Sequence, residues 1–471
     1  GDLPSGERAR VLHRYAMFLK TAEQWQSAYK CLTDLYTKHP EYEQDEEAAR
    51  FMEGIRIRSP VPLLPPSAQS LFSRAERLRA LHYYESAGKL LENVASTATG
   101  PLATAAQYAL ADCYERTRRR EEAIDLLTKF VADHPGDLRV PDALYRLGVD
   151  YWNLNRCEDA RSALEQLTMK HPQSSQAAQG LFTLGKIFTE QGDIEEALRA
   201  FYEVARSYPG TPAARDSLWE AAWLMYLKRD YKAAEGLLRQ LAESGGEGAR
   251  TDRALFWLGK TSERLDARET ALAAYDEVLR RFPLSYYAVR AAERLRSLRG
   301  RGESAPLHIF ASITEPAESD WGAVENIALT QEGSYHASRA MELAVLRFRD
   351  DSREEISLVA LPVMEGGGSL AYLGRLYALS GNYLQSIQTF DKLYRNLVGR
   401  EGGMGHLPGL VLYGLFPLPY RDLVAKCSAT HGVDPMLIHG MMRQESAFDH
   451  RAVSPAGALG LLQLLPKTAQ R

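Results

Sequence analysis

One carboxylic acid, Glu445, ends an apolar run near the C-terminus, in the segment DPMLIHGMMRQES. Asp434 and Pro435 at the start of this run are typical of the N-cap and the first position of a helix. On such a helix the acid continues the apolar face formed by Leu437, Ile438, Met441 and Met442. We therefore expect desolvation and the negative end of the helix dipole to raise the pKa of Glu445 above its usual value.

A glutamic acid that keeps its proton near neutral pH can act as a general acid, as the cleavage of a glycosidic bond requires. The alternative is a glutamate that faces solvent or pairs with Arg443 or Arg451, and this is the commoner outcome for an arbitrary glutamate. Asp449 lies beyond the predicted helix end and is interpreted as a cap or loop residue. No second acid is therefore well placed for a hydrolase that uses two carboxylates.

A loop of small residues follows the acid, and a leucine-rich segment follows the loop. Gly457 and Gly460 are interpreted as glycines of turns or of a close approach. Gln463 is a lone amide between leucines, so if it is buried it must hydrogen-bond to the protein or to a ligand. His439 and His450 show no metal-ligand spacing, and no metal or cofactor is predicted.

These residues carry a resemblance to a known family. The segment QESAFDHRAVSPAGALGLLQLLPKTA resembles the N-terminal half of the catalytic domain of soluble lytic transglycosylases. The positions that meet the family pattern are Glu445-Ser446, Ser454, Gly457, Ala458, Gly460, Gln463, Pro466 and Thr468-Ala469. Leu462 and Leu465 stand where the family has methionine. The upstream FPLPYRDLV resembles the entry to this domain in the large members, which also carry a helical scaffold.

The resemblance implies a lysozyme-like fold that cleaves the β-1,4 bond between N-acetylmuramic acid and N-acetylglucosamine in peptidoglycan without adding water. It implies that Glu445 acts first as the acid and then as the base, so that the product is a 1,6-anhydro sugar. The supporting or substrate-binding residues that it implies are Gln444, Ser446, Ser454, Gly457, Ala458, Gly460 and Gln463. The same resemblance implies peptidoglycan strands as the partner and the bacterial periplasm as the location.

The catalytic domain of that family continues past the point that corresponds to Arg471, so we expect the chain to hold the first part of the domain. Three explanations stay open: a fragment of a longer enzyme, a product of proteolysis, or a gene that lost its cleft. In the last two cases the alternative function is a non-catalytic repeat scaffold that docks another protein.

Most of the remaining chain follows a 37-residue repeat. One series of small residues is Ala111, Gly148, Gly185, Ala222 and Gly259, and a second, twelve residues later, is Ala123, Ala160, Ala197, Ala234 and Ala271. A third series marks the repeat ends, with Pro135, Pro172, Pro209, Gly246 and Pro283. Small residues on facing helices and a proline after the second helix predict stacked helix-turn-helix units that resemble tetratricopeptide repeats. These glycines and prolines exclude a long coiled coil.

The predicted fold class is therefore all-α, with a superhelical repeat array ahead of the lysozyme-like segment. Further copies of the spacing occur at Ala16 and Ala28, at Ala75 and Ala87, and at Gly374 and Ser386. A break from Gly300 to Pro306 predicts a boundary. The predicted domains are a repeat domain over 1–300, a helical linker domain over 301–416, and part of the catalytic domain over 417–471.

Composition excludes several classes of protein. The 57 basic and 61 acidic residues give a net charge of −4, which argues against nucleic-acid binding. No apolar run approaches the length that spans a bilayer, and no signal peptide is present, although the first residue is Gly1 and a cleaved leader is possible. The side chains interpreted as ordinary core residues are Met441, Met442, Cys31, Cys113, Cys157 and Cys427.

Overall fold

The computed structural model describes residues 5–40, 42, 45–244, 251–299, 329–359, 368–398 and 409–470. The chain divides into two compact units, Gly1–Ala249 and Arg250–Arg471. The helices of the first unit are α1 Ser5–Thr21, α2 Trp25–Lys38, α3 Asp45–Arg58, α4 Ala68–Ala80, α5 Tyr84–Thr97, α6 Pro101–Arg116, α7 Arg120–Asp133, α8 Val140–Asn153, α9 Cys157–Lys170, α10 Ser175–Gln191, α11 Ile194–Ser207, α12 Pro212–Leu227 and α13 Tyr231–Glu243.

The second unit continues with helices of the same kind and ends in a short loop-rich segment. Its helices are α14 Thr251–Arg264, α15 Arg268–Arg281, α16 Tyr286–Arg299, α17 Gln331–Val345, α18 Arg349–Ser357, α19 Gly368–Leu379, α20 Tyr383–Val398, α21 Gly409–Leu415, α22 Arg421–His431, α23 Pro435–Ser446 and α24 Pro466–Ala469. In the described ranges the only strand-like pairings are two isolated antiparallel bridges between residues 453 and 464. The all-α prediction is confirmed.

Each repeat is a pair of helices that meet where the sequence predicted close packing. All ten small residues of the two predicted series are buried. A Cβ atom added to Gly185 of α10 would lie 2.5 Å from the ring of Phe201 in α11. The same addition would reach 2.4 Å from Leu164 at Gly148, and 2.6 Å from Tyr275 at Gly259. The glycines thus leave room for a large side chain of the facing helix.

The prolines lie just beyond the second helix of each unit, as predicted. The helices α7, α9, α11 and α15 end two residues before Pro135, Pro172, Pro209 and Pro283. Gly246 lies outside the described residues. Inside each unit the turn uses one residue with left-handed backbone, and these residues are also 37 apart: Arg118, Asn155, Gly192, Arg229 and Asp266. Only one of the five is a glycine, so residue type alone did not indicate that the backbone at this position of the repeat is left-handed.

The further copies of the spacing also form helix pairs. Their marker residues are all buried, namely Ala16 and Ala28, Ala75 and Ala87, and Gly374 and Ser386. The predicted break from Gly300 to Pro306 lies outside the described residues. The predicted boundary near residue 300 therefore stays a prediction, and so does the boundary near residue 416.

The cysteine prediction holds only in part. Cys113 is buried and burial raises the pKa of its thiol to about 11, whereas Cys31 and Cys157 are half-buried. For Cys427 the prediction is wrong, because its side chain is exposed while Val424 and Ser428 take the buried positions of α22. No helix in the described ranges is long and apolar enough to cross a membrane.

Candidate active site

The helix that carries Glu445 begins and ends where its sequence predicts. The preceding helix α22 ends at His431, and Gly432 with φ of 65° donates its N–H to the carbonyl of Ser428. The Oδ1 atom of Asp434 accepts a hydrogen bond from the N–H of Met436 at 2.8 Å, which caps α23. At the other end Ala447 adopts a left-handed backbone with φ of 47°. The chain therefore turns sharply directly after the candidate acid.

A small apolar core fixes this helix within the second unit. Val424 of α22, Met442 of α23 and Phe448 after the turn are buried together. The ring of Phe448 meets that of Tyr383 edge to face, with 5.7 Å between the centroids. Burial raises the pKa of Tyr383. This core connects α20, α22 and α23, so the position of Glu445 depends on the packing of α20.

Two polar side chains of α23 hold the helix to the segment before it. The buried ring of His439 has Nδ1 at 2.9 Å from the carbonyl of Pro435 and Nε2 at 3.1 Å from that of Pro419. Arg443 donates from Nε to the carbonyl of Leu415 at 3.0 Å, and its guanidinium lies 5.1 Å from the ring centre of Phe416. Sequence reasoning missed both roles, since a side chain that meets a distant carbonyl leaves no local pattern.

The predicted burial of Glu445 is wrong. Its side chain is exposed, as is that of the neighbouring Gln444. Of the predicted apolar face, only Met442 is buried in the core and Ile438 is half-buried. Leu437 and Met441 are 57% and 45% exposed. The interpretation of Met441 as a core residue is wrong for the same reason: the packing partners α20 and α22 cover one side of the helix.

The alternative ion pairs of Glu445 are not formed either. Arg443 is engaged with Leu415, and Arg451 lies 3.8 Å from Asp449 and 3.9 Å from Asp350. Within the described ranges Glu445 has no ion-pair partner. Its exposed carboxylate thus lies open to a molecule in solution, in the last turn of a helix that packs against α22 through Met442.

The hydroxyl of Ser446 joins the helix end to the leucine-rich segment. Its Oγ lies 3.0 Å from the carbonyl of Met442 and 2.9 Å from that of Leu461. The first contact lies within the helix, and the second reaches across fifteen residues. Ser446 therefore links the last turn of α23 to the segment that contains Leu461.

The loop of small residues is a compact hairpin-like turn. Ser454 accepts at Oγ from the N–H of Ala458 at 3.0 Å, and its carbonyl accepts from Gly457 at 2.9 Å. Isolated bridges pair residue 459 with residues 453 and 464. Gly457 and Gly460 have φ of 79° and 72°, so both turns need residues that tolerate a left-handed backbone. The loop residues of the family pattern are thus brought together.

The side chain of Gln463 joins two parts of this loop by hydrogen bonds. Its Nε2 donates to the carbonyls of Ala452 at 3.0 Å and Gly460 at 2.9 Å, and its own backbone is left-handed with φ of 47°. The partners of the lone amide are therefore protein groups.

Asp449 is a loop residue as predicted, because its Oδ1 accepts from the N–H of Arg451 at 2.9 Å. The side chain of His450 is exposed, and its Nδ1 lies 3.3 Å from Nη1 of Arg349.

Comparison with known proteins decides the class of this segment. Residues 422–471 match the family model described as "Transglycosylase SLT domain". The C-terminal segment is therefore similar to this domain. The predicted resemblance to soluble lytic transglycosylases is confirmed, and so is the resemblance of the scaffold, because residues 105–137, 145–212 and 253–285 match tetratricopeptide repeat models.

Two curated proteins are similar to a short part of the chain. The chain is 50% identical over 52 residues to "Membrane-bound lytic murein transglycosylase C" of Actinobacillus pleuropneumoniae serotype 5b, and 46% identical over 52 residues to the protein of that name from Mannheimia succiniciproducens. The match covers 11% of this chain and spans 14% and 15% of those relatives.

A solved structure is similar over the length of the chain. An inactive mutant of lytic transglycosylase Slt from Pseudomonas aeruginosa has a TM-score of 0.50 and 19% identity, covering 97% of this chain and 65% of that one. This similarity concerns the fold, and it supports the predicted class of an all-α repeat array followed by part of a lysozyme-like domain.

Proposed function

We propose that this protein is a peptidoglycan lytic transglycosylase and that Glu445 is its single general acid and base. The observation that carries the proposal is the match of residues 422–471 to the Transglycosylase SLT domain, and Glu445 lies in the last turn of α23 within this segment. The carboxylate of Glu445 is exposed and has no ion-pair partner in the described ranges, which is compatible with a reaction that uses one carboxylate twice.

The proposed reaction breaks the β-1,4 bond between N-acetylmuramic acid and N-acetylglucosamine. Protonated Glu445 gives its proton to the glycosidic oxygen as the bond from that oxygen to the anomeric carbon breaks. The carboxylate that results takes the proton of the muramic 6-hydroxyl, whose oxygen bonds to the anomeric carbon. A 1,6-anhydro end forms, no water is consumed, and the acid recovers its proton.

The other predicted site residues take two kinds of role in this proposal. Ser446, Gln463, Ser454 and the turn glycines Gly457 and Gly460 shape the loop beside the acid through the contacts described above. Gln444 is exposed next to Glu445, and Ala458 lies in the turn, so we propose the two as candidates for contact with the glycan. A periplasmic location follows from the same proposal, because the substrate is found there.

Digestion of purified sacculi by the protein from its complete reading frame tests the function. The wild type is expected to release fragments with 1,6-anhydro ends, and Glu445→Gln to release none, because the amide cannot donate and accept the proton. Glu332→Gln is a matched control, since Glu332 is exposed in α17 of the same unit. Equal activity of wild type and Glu445→Gln would refute the assignment, and free reducing ends would indicate a hydrolase instead.

A non-catalytic docking scaffold is the second candidate. The tetratricopeptide matches favour it, because stacked helical repeats offer extended surfaces to proteins. In that case neither the wild type nor Glu445→Gln would release fragments from sacculi. Capture of a defined partner by the wild type would then persist unchanged in Glu445→Gln.

A further inference from the structure

Four basic side chains stand together on two helices of the second unit. Lys260 and Arg264 lie one turn apart on α14, and Arg290 and Arg294 lie one turn apart on α16, which packs against α14. Arg264 and Arg290 are exposed, whereas Lys260 and Arg294 are half-buried. We call these four residues the basic cluster. It is a local excess of positive charge in a chain whose net charge is −4.

The carboxylates beside the basic cluster are already engaged. Glu263 accepts from Nε of Arg294 at 3.0 Å and from the hydroxyl of Tyr275. Glu293 pairs with Arg290 at 2.7 Å. In the part of the chain that the structure describes, Lys260 and Arg264 have no ion-pair partner. Two like charges at this spacing destabilise a helix slightly unless an anion offsets them.

The repeat itself reveals what is unusual about Lys260. In the first unit Lys186 occupies the equivalent position, two repeat lengths earlier, and its Nζ lies 3.7 Å from Glu220 of the next repeat. The position equivalent to Glu220 is Arg294. The lysine is thus retained while its carboxylate partner is replaced by a cation. At Lys186 the array supplies a paired carboxylate, whereas at Lys260 no carboxylate of the described residues forms an ion pair with the lysine.

We propose that the basic cluster binds the carboxylates of an acidic peptide. Carboxylates suit it because arginine pairs with them through two parallel hydrogen bonds, and Arg264 is exposed and has no ion-pair partner among the described residues. Arg290 and Arg294 are already paired with Glu293 and Glu263, which leaves Lys260 and Arg264 for a ligand. Two neighbouring cations match a ligand with several carboxylates better than a single small ion. The proposal concerns the repeat scaffold and does not depend on the activity of Glu445.

The electrostatics of Lys260 support this proposal. Burial lowers the pKa of Lys260, and the charges of Arg294, Arg264 and Arg290 lower it further against the opposing effect of Glu263. A carboxylate bound at the cluster would offset this repulsion. Binding should weaken as salt is added, because the pairs lie near the surface.

Isothermal titration of the full chain with tetraglutamate tests the proposal, with tetraglutamine and inorganic phosphate as comparison probes. Tetraglutamate should bind, and both comparison probes should bind much more weakly. Lys260→Gln and Arg264→Gln should each weaken tetraglutamate binding about threefold to fivefold, as the loss of one surface ion pair predicts. Lys186→Gln should leave the affinity unchanged, because Lys186 already has its partner.

Three outcomes would overturn the proposal. Tetraglutamate could bind no better than tetraglutamine, or Lys260→Gln and Arg264→Gln could bind it as the wild type does. Phosphate could compete for the same site with equal affinity, which would mean a simple anion site and not a peptide site. Matching thermal unfolding curves for all variants would establish that a loss of binding is not a loss of folding.

Discussion

The hydroxyl of Ser446 lies 2.9 Å from the carbonyl oxygen of Leu461, and this contact joins the end of α23 to the leucine-rich segment. It is a polar side-chain link between the helix that carries Glu445 and the loop that follows. Since the same hydroxyl also contacts Met442 one turn back, it ties the last turn of the helix to the loop. Leu461 and Leu462 also pack against the core that contains Met442, so the serine adds a polar contact to an apolar one.

Ser446→Ala should loosen the loop without unfolding the unit. Loss of one hydrogen bond to a carbonyl is expected to cost about 1 kcal/mol locally. Hydrogen exchange should therefore speed up about fivefold at the amides of Gly460 and Leu464, since 1.4 kcal/mol corresponds to tenfold. Ser357→Ala is the control, because the Ser357 hydroxyl contacts only the nearby carbonyl of Glu354 among the described residues. Unchanged exchange at the loop would mean that the serine does not hold it.

Gln463→Glu should destabilise the loop in a manner that depends on pH. The amide of Gln463 donates to two carbonyls, and an ionised carboxylate in its place could only repel them. At low pH the protonated acid can still donate one of the two hydrogen bonds. Exchange of the loop amides, corrected for intrinsic rates, should exceed that of the wild type more at neutral pH than at about pH 4. If the exchange rate exceeded that of the wild type by the same factor at both pH values, the amide of Gln463 would not hold the loop through these two hydrogen bonds.

Gly185→Ala should destabilise the repeat array. The added methyl group would meet the ring of Phe201 at 2.5 Å, and overpacking of this kind typically costs about 1–3 kcal/mol. Gly236→Ala is the matched change in α13, where no atom lies within 4 Å of the added carbon. That change should be neutral or stabilising by up to about 1 kcal/mol, since alanine favours a helix. Thermal unfolding of the two variants should move in opposite directions or, at least, separate by several degrees.

The stability of the junction between α6 and α8 should fall as pH rises. Burial raises the pKa of Glu115 from 4.5 to about 7, with Asp150 adding to the effect and Arg146 opposing it. Burial likewise raises the pKa of Asp150, against the opposing charge of Arg120. Between about 4.5 and about 7 the unfolded chain gives up the Glu115 proton more readily than the folded one, so stability is lost as pH rises through this window.

Glu115→Gln should remove most of this pH dependence, because the amide stays neutral. The change in urea midpoint between about pH 5 and about pH 7 should be smaller in the variant than in the wild type, by an amount equivalent to at most about 3 kcal/mol. Glu158→Gln is the control, since that carboxylate is 71% exposed. If the urea midpoint of Glu115→Gln changed with pH as much as that of the wild type, Glu115 would not be the group that causes the pH dependence.

The repeat and the helices around the acid could be predicted because they depend on local rules. Gly148 and Ala160 marked close helix contacts, and Asp434 and Pro435 marked a helix start, from residue type and spacing alone. The left-handed backbone of the turn residues was not predicted, because Arg118 and Arg229 are not residue types that favour this backbone. There the packing of the helix pair determines the conformation and overrides local preference.

The exposure of Glu445 and the partners of Gln463 could only come from the tertiary structure. Periodicity placed the acid on an apolar face, but it could not tell which part of that face α20 and α22 would cover, and the covered part is at Met442. By itself the sequence determined the helices, their pairing and the position of the candidate acid, since these depend on neighbours along the chain. The surroundings of the acid depend on contacts between residues far apart in sequence, such as Ser446 with Leu461 and Arg443 with Leu415, so only the folded chain decided them.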